Sequence, residues 1–277
     1  ARQYPMLRST TLRLLEPLGA PEQEDAVAER PGRAPTATGA AARGVALVFA
    51  GVSVRAAGHT ILEDIDLSLD RGDHVAIVGP SGAGKSSLVG LLLGWHRPAT
   101  GRVLAGGAPL DATALARLRE QTAWVDPAVH LWDRTLLENL QYGARPCDGP
   151  SMREVLHGAG LLDVLRRLPE GLQTPLGDGG GRLSGGEGQL VRIGRAWGRS
   201  SARLVVLDEP FRGLDRERRR CLLHRIRRHF RGATLLCVTH DVGDTYGFDR
   251  VLVAEAGRVV EDGPPRLLAG LACSRFR

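Results

Sequence analysis

Apolar residues recur along the chain with two different periods, and each period predicts a different element. Residues 1–17 show helical spacing in Leu12, Leu14 and Leu15 before a stop at Pro17. Residues 18–44 are Ala, Pro, Gly, Glu and Arg with few large apolar side chains, the composition of a flexible linker. From Val45 the pattern becomes that of a globular domain. Strand-like runs fall at 47–54, 61–69 and 74–78, and a helix is expected from Lys85 with Leu88, Leu91, Leu92 and Trp95 on one face. Residues 112–198 are expected to be largely helical. Strands return at 204–207, 234–238 and 250–253, with a helix from Arg216 between the first two. Such alternation predicts an α/β fold, a largely parallel sheet covered by helices. There is no internal repeat, so one copy of any site is expected.

Composition narrows this picture. The chain has 277 residues, 43% of them hydrophobic, enough to bury a sizeable core. No run approaches the roughly 18 apolar residues that cross a bilayer. The sequence opens on Ala1 without a secretion leader and is expected to be a piece of a longer protein. Cys147, Cys221, Cys237 and Cys273 lie far apart without a CxxC pair, so neither disulfides nor zinc are expected and a reducing compartment fits. Cys237 sits in an apolar run as a small buried thiol. The formal charge is +6, and among 37 basic residues Lys85 is the sole lysine. The densest basic cluster, 216–231, is interleaved with Leu222, Leu223, Ile226 and Phe230 at helical spacing, which reads as a solvated helix face rather than a nucleic-acid site.

The lone lysine has a chemical reason. Gly79, Pro80, Ser81, Gly82, Ala83, Gly84, Lys85, Ser86 and Ser87 spell GxxxxGK[ST] between an expected strand and an expected helix. Glycines there let backbone N–H groups turn toward phosphate oxygens, and the helix N-terminus adds the positive end of its dipole. Lys85 is expected at the β- and γ-phosphates of a nucleotide and Ser86 at Mg²⁺. A compact ammonium suits that slot and the broad guanidinium fork does not. A second apolar run ends in Asp208, a metal-side carboxylate, and Glu209, placed to polarise an attacking water.

Leu183, Ser184, Gly185, Gly186 and Glu187 lie between these two motifs, before a helical stretch. In that order they resemble the signature of ATP-binding cassettes, the motor domains of ABC-type transporters. The resemblance covers about 45–270. It implies a P-loop NTPase core with a small antiparallel β edge near 47–69 and an inserted α-helical subdomain at about 126–198, leaving 271–277 as a C-terminal tail. It further implies that the signature binds the ATP held by a second nucleotide-binding domain. Asp215 would belong to the interface loop and His240 would contact the γ-phosphate and orient the water. Two departures stand out. The adenine-stacking aromatic is replaced by Ala56, leaving Arg55 as a stacking candidate. The glutamine that the resemblance implies is absent from the segment 124–128, leaving Asp126 as a candidate metal ligand. The stretch 131–140, with Asn139, resembles exporter-type cassettes. Residues 1–17 would then be the tail of a transmembrane domain, joined by the linker 18–44, and the cassette would work at the cytoplasmic face of the membrane. The alternative, a soluble cassette ATPase acting on nucleic acid or ribosomes, usually carries paired cassettes, coiled coils or zinc insertions, none of which the sequence has.

Overall fold

A computed structural model describes residues 43–276 apart from 57, 144–148 and 272. The expected segment 1–17, residues 18–42 of the expected linker 18–44, and Cys147 lie outside the described residues. All the described residues belong to one compact unit. The elements run β1 (Leu47–Ala56), β2 (His59–Leu69), β3 (His74–Val78), α1 (Lys85–Leu93), β4 (Thr100–Ala105), β5 (Ala108–Pro109), α2 (Ala112–Glu120) and β6 (Thr122–Val125). Then come α3 (Leu136–Gln141), α4 (Met152–Gly158), α5 (Leu162–Arg167), α6 (Gly185–Trp197), β7 (Leu204–Asp208), α7 (Arg216–His229) and β8 (Thr234–Val238). The chain closes with α8 (Val242–Thr245), β9 (Arg250–Glu255), β10 (Arg258–Gly263) and α9 (Pro265–Gly270).

Two sheets form. One is antiparallel in the order β2-β1-β4-β5; the other is six-stranded in the order β10-β9-β3-β8-β7-β6. Within the larger sheet β9, β3, β8, β7 and β6 are parallel, and β10 closes the edge antiparallel to β9. Strands β3, β7 and β8 are buried at every position, which explains their unbroken apolar runs. Their side chains still alternate. Val75, Ile77, Leu204, Val206, Leu236 and Val238 pack toward the antiparallel sheet and α1, whereas Ala76, Val78, Val205, Leu207, Leu235 and Cys237 pack toward the helices on the other face. One sheet thus serves two cores, and its crossovers put the loops after β3, β7 and β8 at one edge.

The structure differs from the periodicity in three places. Strand β6 interrupts the stretch 112–198, because four residues of Thr-Ala-Trp-Val are too short a run to separate from a helix by period. Strands β4 and β10 were not anticipated; Val103 is the one fully buried residue of β4, and β10 is an edge strand half exposed along its length. Residues near the C-terminus are docked on the domain. Phe276 is 1% exposed, Ser274 Oγ donates to Glu261 at 2.7 Å, and Arg275 pairs with Glu255 at 2.6 Å. No helix among the described residues is long and apolar enough to cross a membrane.

Candidate functional site

The loop from β3 to α1 is shaped by its glycines. Gly79 has φ 148° and a Cβ there would stand 2.0 Å from the Ala254 carbonyl oxygen; Gly84 has φ 93° and a Cβ would meet Leu62 at 2.7 Å. Neither position admits another residue. No side chain caps α1, so its first N–H groups are left for an outside acceptor. The Ser86 and Ser87 backbones lie in that first turn. Lys85 is 5% exposed, and its ammonium donates to the carbonyls of Gly79 and Pro80, each at 2.8 Å. Burial lowers the Lys85 pKa, opposed by Glu209 and Asp208, so two carboxylates hold the charge that burial disfavours.

Those carboxylates arrive at the end of β7. Asp208 is 6% exposed, and its Oδ1 is buried without a hydrogen-bond partner, with the Ser86 hydroxyl near enough to favour the charged carboxylate. Burial raises its pKa, with Asp126 adding and Ser86, Lys85 and His240 opposing. Glu209 follows with φ 44°, unusual for a residue with a Cβ, and its N–H donates to the Val238 carbonyl at 3.0 Å. Strain of this kind marks a residue whose direction matters. Burial raises the Glu209 pKa as well, opposed first by His240. His240 Nε2, at the end of β8, stands 2.9 Å from Glu209 Oε1, close enough for an ion pair but not aligned for a hydrogen bond.

The signature residues open helix α6. Ser184 is its N-cap: its hydroxyl accepts from the Glu187 N–H at 3.3 Å while Glu187 Oε2 accepts from the Ser184 N–H at 2.9 Å. Glu187 also pairs with Arg167, and Leu183 packs against the helical core. Gly185 has open space where a Cβ would be, whereas a Cβ on Gly186 would meet the Gly213 carbonyl oxygen at 2.6 Å. Asp215, two residues on, caps α7 by accepting from the Arg218 N–H at 2.9 Å.

Lys85, Ser86, Asp208, Glu209 and His240 therefore converge at one sheet edge. Asp126 follows β6 at the same edge; its Oδ1 accepts from the Ala128 N–H at 2.6 Å, and its charge reaches both Asp208 and Arg192. Arg55 is exposed at the end of β1, opposite Thr60, one step from the Ile61 carbonyl that borders Gly84. Opposite Ala56 stands His59, a ring whose place only the strand register reveals. Several contributors carried no signal of their own. Gln189, 1% exposed, donates from Nε2 to the Glu209 carbonyl at 3.5 Å, tying α6 to the end of β7. Arg192 donates to the Val129 carbonyl at 2.7 Å; buried Arg195 donates to the carbonyls of Asn139 and His130 at 2.8 and 2.7 Å and to the Asn139 side chain. Burial, with Arg192 nearby, lowers the Arg195 pKa to about 10.

The chemistry of this edge suits phosphate binding and the activation of water, and comparison with known proteins gives the family. The family profile "ABC transporter" matches residues 62–212. An ATP-dependent lipid A-core flippase of Ralstonia nicotianae is 38% identical over 214 residues, 76% of this chain and 36% of that protein. The glutathione/L-cysteine transport system ATP-binding/permease protein CydC of Haemophilus influenzae is 37% identical over 204 residues, 73% of this chain and 35% of that protein. This chain thus spans little more than a third of those relatives. The solved structure of a bacterial Atm1-family ABC exporter with ATP bound superposes with a TM-score of 0.77 at 27% identity, covering 96% of this chain and 45% of that one. The chain belongs to the ABC transporter family, as one of its ATP-binding domains.

Proposed function

We propose that this domain hydrolyses Mg²⁺-ATP to drive export, paired with a second nucleotide-binding domain and coupled to a transmembrane domain at the cytoplasmic face of a membrane. The observation that carries the catalytic part is the convergence of Lys85, Ser86, Asp208, Glu209 and His240, with Asp208 Oδ1 left without a partner. The export direction rests on the flippase, the permease protein and the exporter to which the chain is similar.

In this reading the loop 79–87 wraps the phosphates with backbone N–H groups, and Lys85 exchanges its two loop carbonyls for β- and γ-phosphate oxygens. Ser86 and Asp208, with Asp126 behind them, are hard oxygen donors of the type Mg²⁺ takes. Such a site needs few protein ligands because phosphates complete it; among the described residues no group of three or more His, Cys, Asp or Glu could hold a metal by itself. The bound ion would neutralise charge on the phosphate oxygens. Glu209 accepts a proton from water as the water oxygen bonds the terminal phosphorus and the bond to the ADP oxygen breaks. Its raised pKa makes it a better base than an exposed carboxylate. His240 holds Glu209 from one side and the γ-phosphate from the other. Ser184–Glu187, at the N-terminus of α6, supplies N–H groups to the ATP of the partner domain.

Glu209→Gln keeps size and hydrogen-bonding capacity but cannot take the proton. Hydrolysis should fall by about two to four orders of magnitude, the range of a positioned general base, while ATP binding persists and a closed dimer accumulates in light scattering. Lys85→Ala should abolish measurable ATP affinity with an unchanged circular dichroism spectrum. Wild-type hydrolysis by Glu209→Gln, or unchanged affinity in Lys85→Ala, would remove the assignment.

A further inference from the structure

Helix α7 borders a groove of about 810 Å³ that the nucleotide chemistry does not use. The α7 side of this groove carries Arg216, Arg220, His224, Arg227 and Arg228, with Arg231 just beyond the helix. Spaced mostly three or four residues apart, these side chains share a broad face. Four carboxylates also line the groove: Asp73, Asp241, Asp244 and Asp249. Each already faces an arginine. Asp249 pairs with Arg227 at 2.8 Å, Asp73 with Arg250 at 3.6 Å, and Arg219 stands 3.1 Å from Asp241 and 3.9 Å from Asp244. Arg220, Arg228 and Arg231 are left over. They are exposed, and among the described residues they have no hydrogen-bond or ion-pair partner. Arg220 and Arg228 also line a second groove, of about 740 Å³, on the outer flank of the same helix.

A guanidinium cannot discharge itself by losing a proton, so a cluster of unpaired ones is stabilised by an anion. Its planar fork matches phosphate oxygens two at a time. At 1.5 Å per residue the row from Arg220 to Arg231 extends about 16 Å, room for several consecutive phosphates, and the volume lies in the range of small-molecule clefts. A lipid surface matches less well. The arginines line concave walls, which a flat sheet of headgroups does not enter.

We propose that this groove binds a soluble oligophosphate anion, its phosphates lying along Arg220, Arg228 and Arg231. The proposal is independent of the nucleotide site, and the test separates the two. Inorganic tripolyphosphate is titrated calorimetrically into the chain carrying Lys85→Ala, which silences the loop 79–87. One binding site is expected, weakening as salt screens the charges. Adding Arg220→Ser, Arg228→Ser and Arg231→Ser should lower the affinity at least tenfold, with the fold checked by circular dichroism. The exposed Arg117→Ser should leave it unchanged. Absence of tripolyphosphate binding in the Lys85→Ala chain overturns the proposal, as does undiminished affinity in the triple variant. Binding to phosphatidylglycerol vesicles without binding to tripolyphosphate overturns it in favour of a membrane surface.

Discussion

The two glycines that open helix α6 should respond to the same substitution in opposite ways. A Cβ on Gly186 would lie 2.6 Å from the Gly213 carbonyl oxygen and 3.2 Å from a Leu214 methyl, against an ordinary contact that begins at 3.4 Å. Gly186→Ala must therefore separate α6 from the 211–215 loop by about 0.8 Å, an overpacking that costs about 1–3 kcal/mol. The loop yields reluctantly, since Gly213 holds φ 80° and Asp215 is fixed as the cap of α7. A Cβ on Gly185 meets nothing within 4 Å, and replacing a helical glycine by alanine gains up to about 1 kcal/mol. Gly185→Ala should thus be as stable as the parent in urea unfolding, or slightly more so. Yet the open space beside Gly185 is where the partner's phosphate is proposed to arrive, so its methyl should weaken ATP-driven dimerisation. Light scattering with Mg²⁺-ATP on a Glu209→Gln background reads this out. Unaltered unfolding of Gly186→Ala would refute the packing argument, and full dimerisation of Gly185→Ala would refute the phosphate's path.

Three further outcomes are expected. With Ala56 at the stacking position, competitive binding should show poor discrimination of ATP from GTP, because aromatic stacking is worth on the order of 1–3 kcal/mol per base; a strong ATP preference would mean that Arg55 or His59 supplies a platform. Asp126→Ala should raise the Mg²⁺ concentration needed for hydrolysis while sparing Mg²⁺-free ATP binding, and an unchanged Mg²⁺ dependence would place Asp126 away from the metal. Burial and the Arg227 guanidinium hold His74 below its ordinary pKa of 6.5; its Nε2 donates to the Phe230 carbonyl at 3.3 Å and its Nδ1 accepts from Arg227 Nε at 3.3 Å. The unfolded chain then takes up this proton first, so stability is full above about pH 6.5 and declines below it. His74→Gln should flatten that decline in urea unfolding followed from pH 7 to pH 5.

Legibility followed the type of signal. The strands β3, β7 and β8 are buried on both faces, so their apolar runs announce them without alternation, and Lys85 and Asp208 fall at their ends or just beyond. Ser184 and Glu187 were readable through their order between the loop 79–87 and Asp208, which resembles the cassette signature; the capping box they form appears only in the structure. Strand β6 and edge strand β10 were not, since neither period nor length distinguishes them. Gln189, Arg192 and Arg195 were invisible for another reason: each side chain acts on main chain 20 to 65 residues away, and carbonyls leave no trace in composition. The signature marks Gly186 as a glycine, but its contact with Gly213 was not legible, because the two are brought together only by the fold.

The bonds from α6 to the loop after β6 have one more implication. Arg192 and Arg195 grip the carbonyls of Val129, His130 and Asn139, groups that every residue type provides. Exchanging Val129 or His130 would leave those bonds in place, so the joint is blind to what the loop displays. Trp132, 42% exposed between them, can therefore change identity to suit whatever it touches without loosening the tie between α6 and the loop. Of the three gripped residues Asn139 is the one that α6 also binds through its side chain, which accepts from Arg195, while its amide donates to the carbonyls of Trp132, Arg134 and Thr135. Within this segment, drift should be free at the surface and arrested at Asn139.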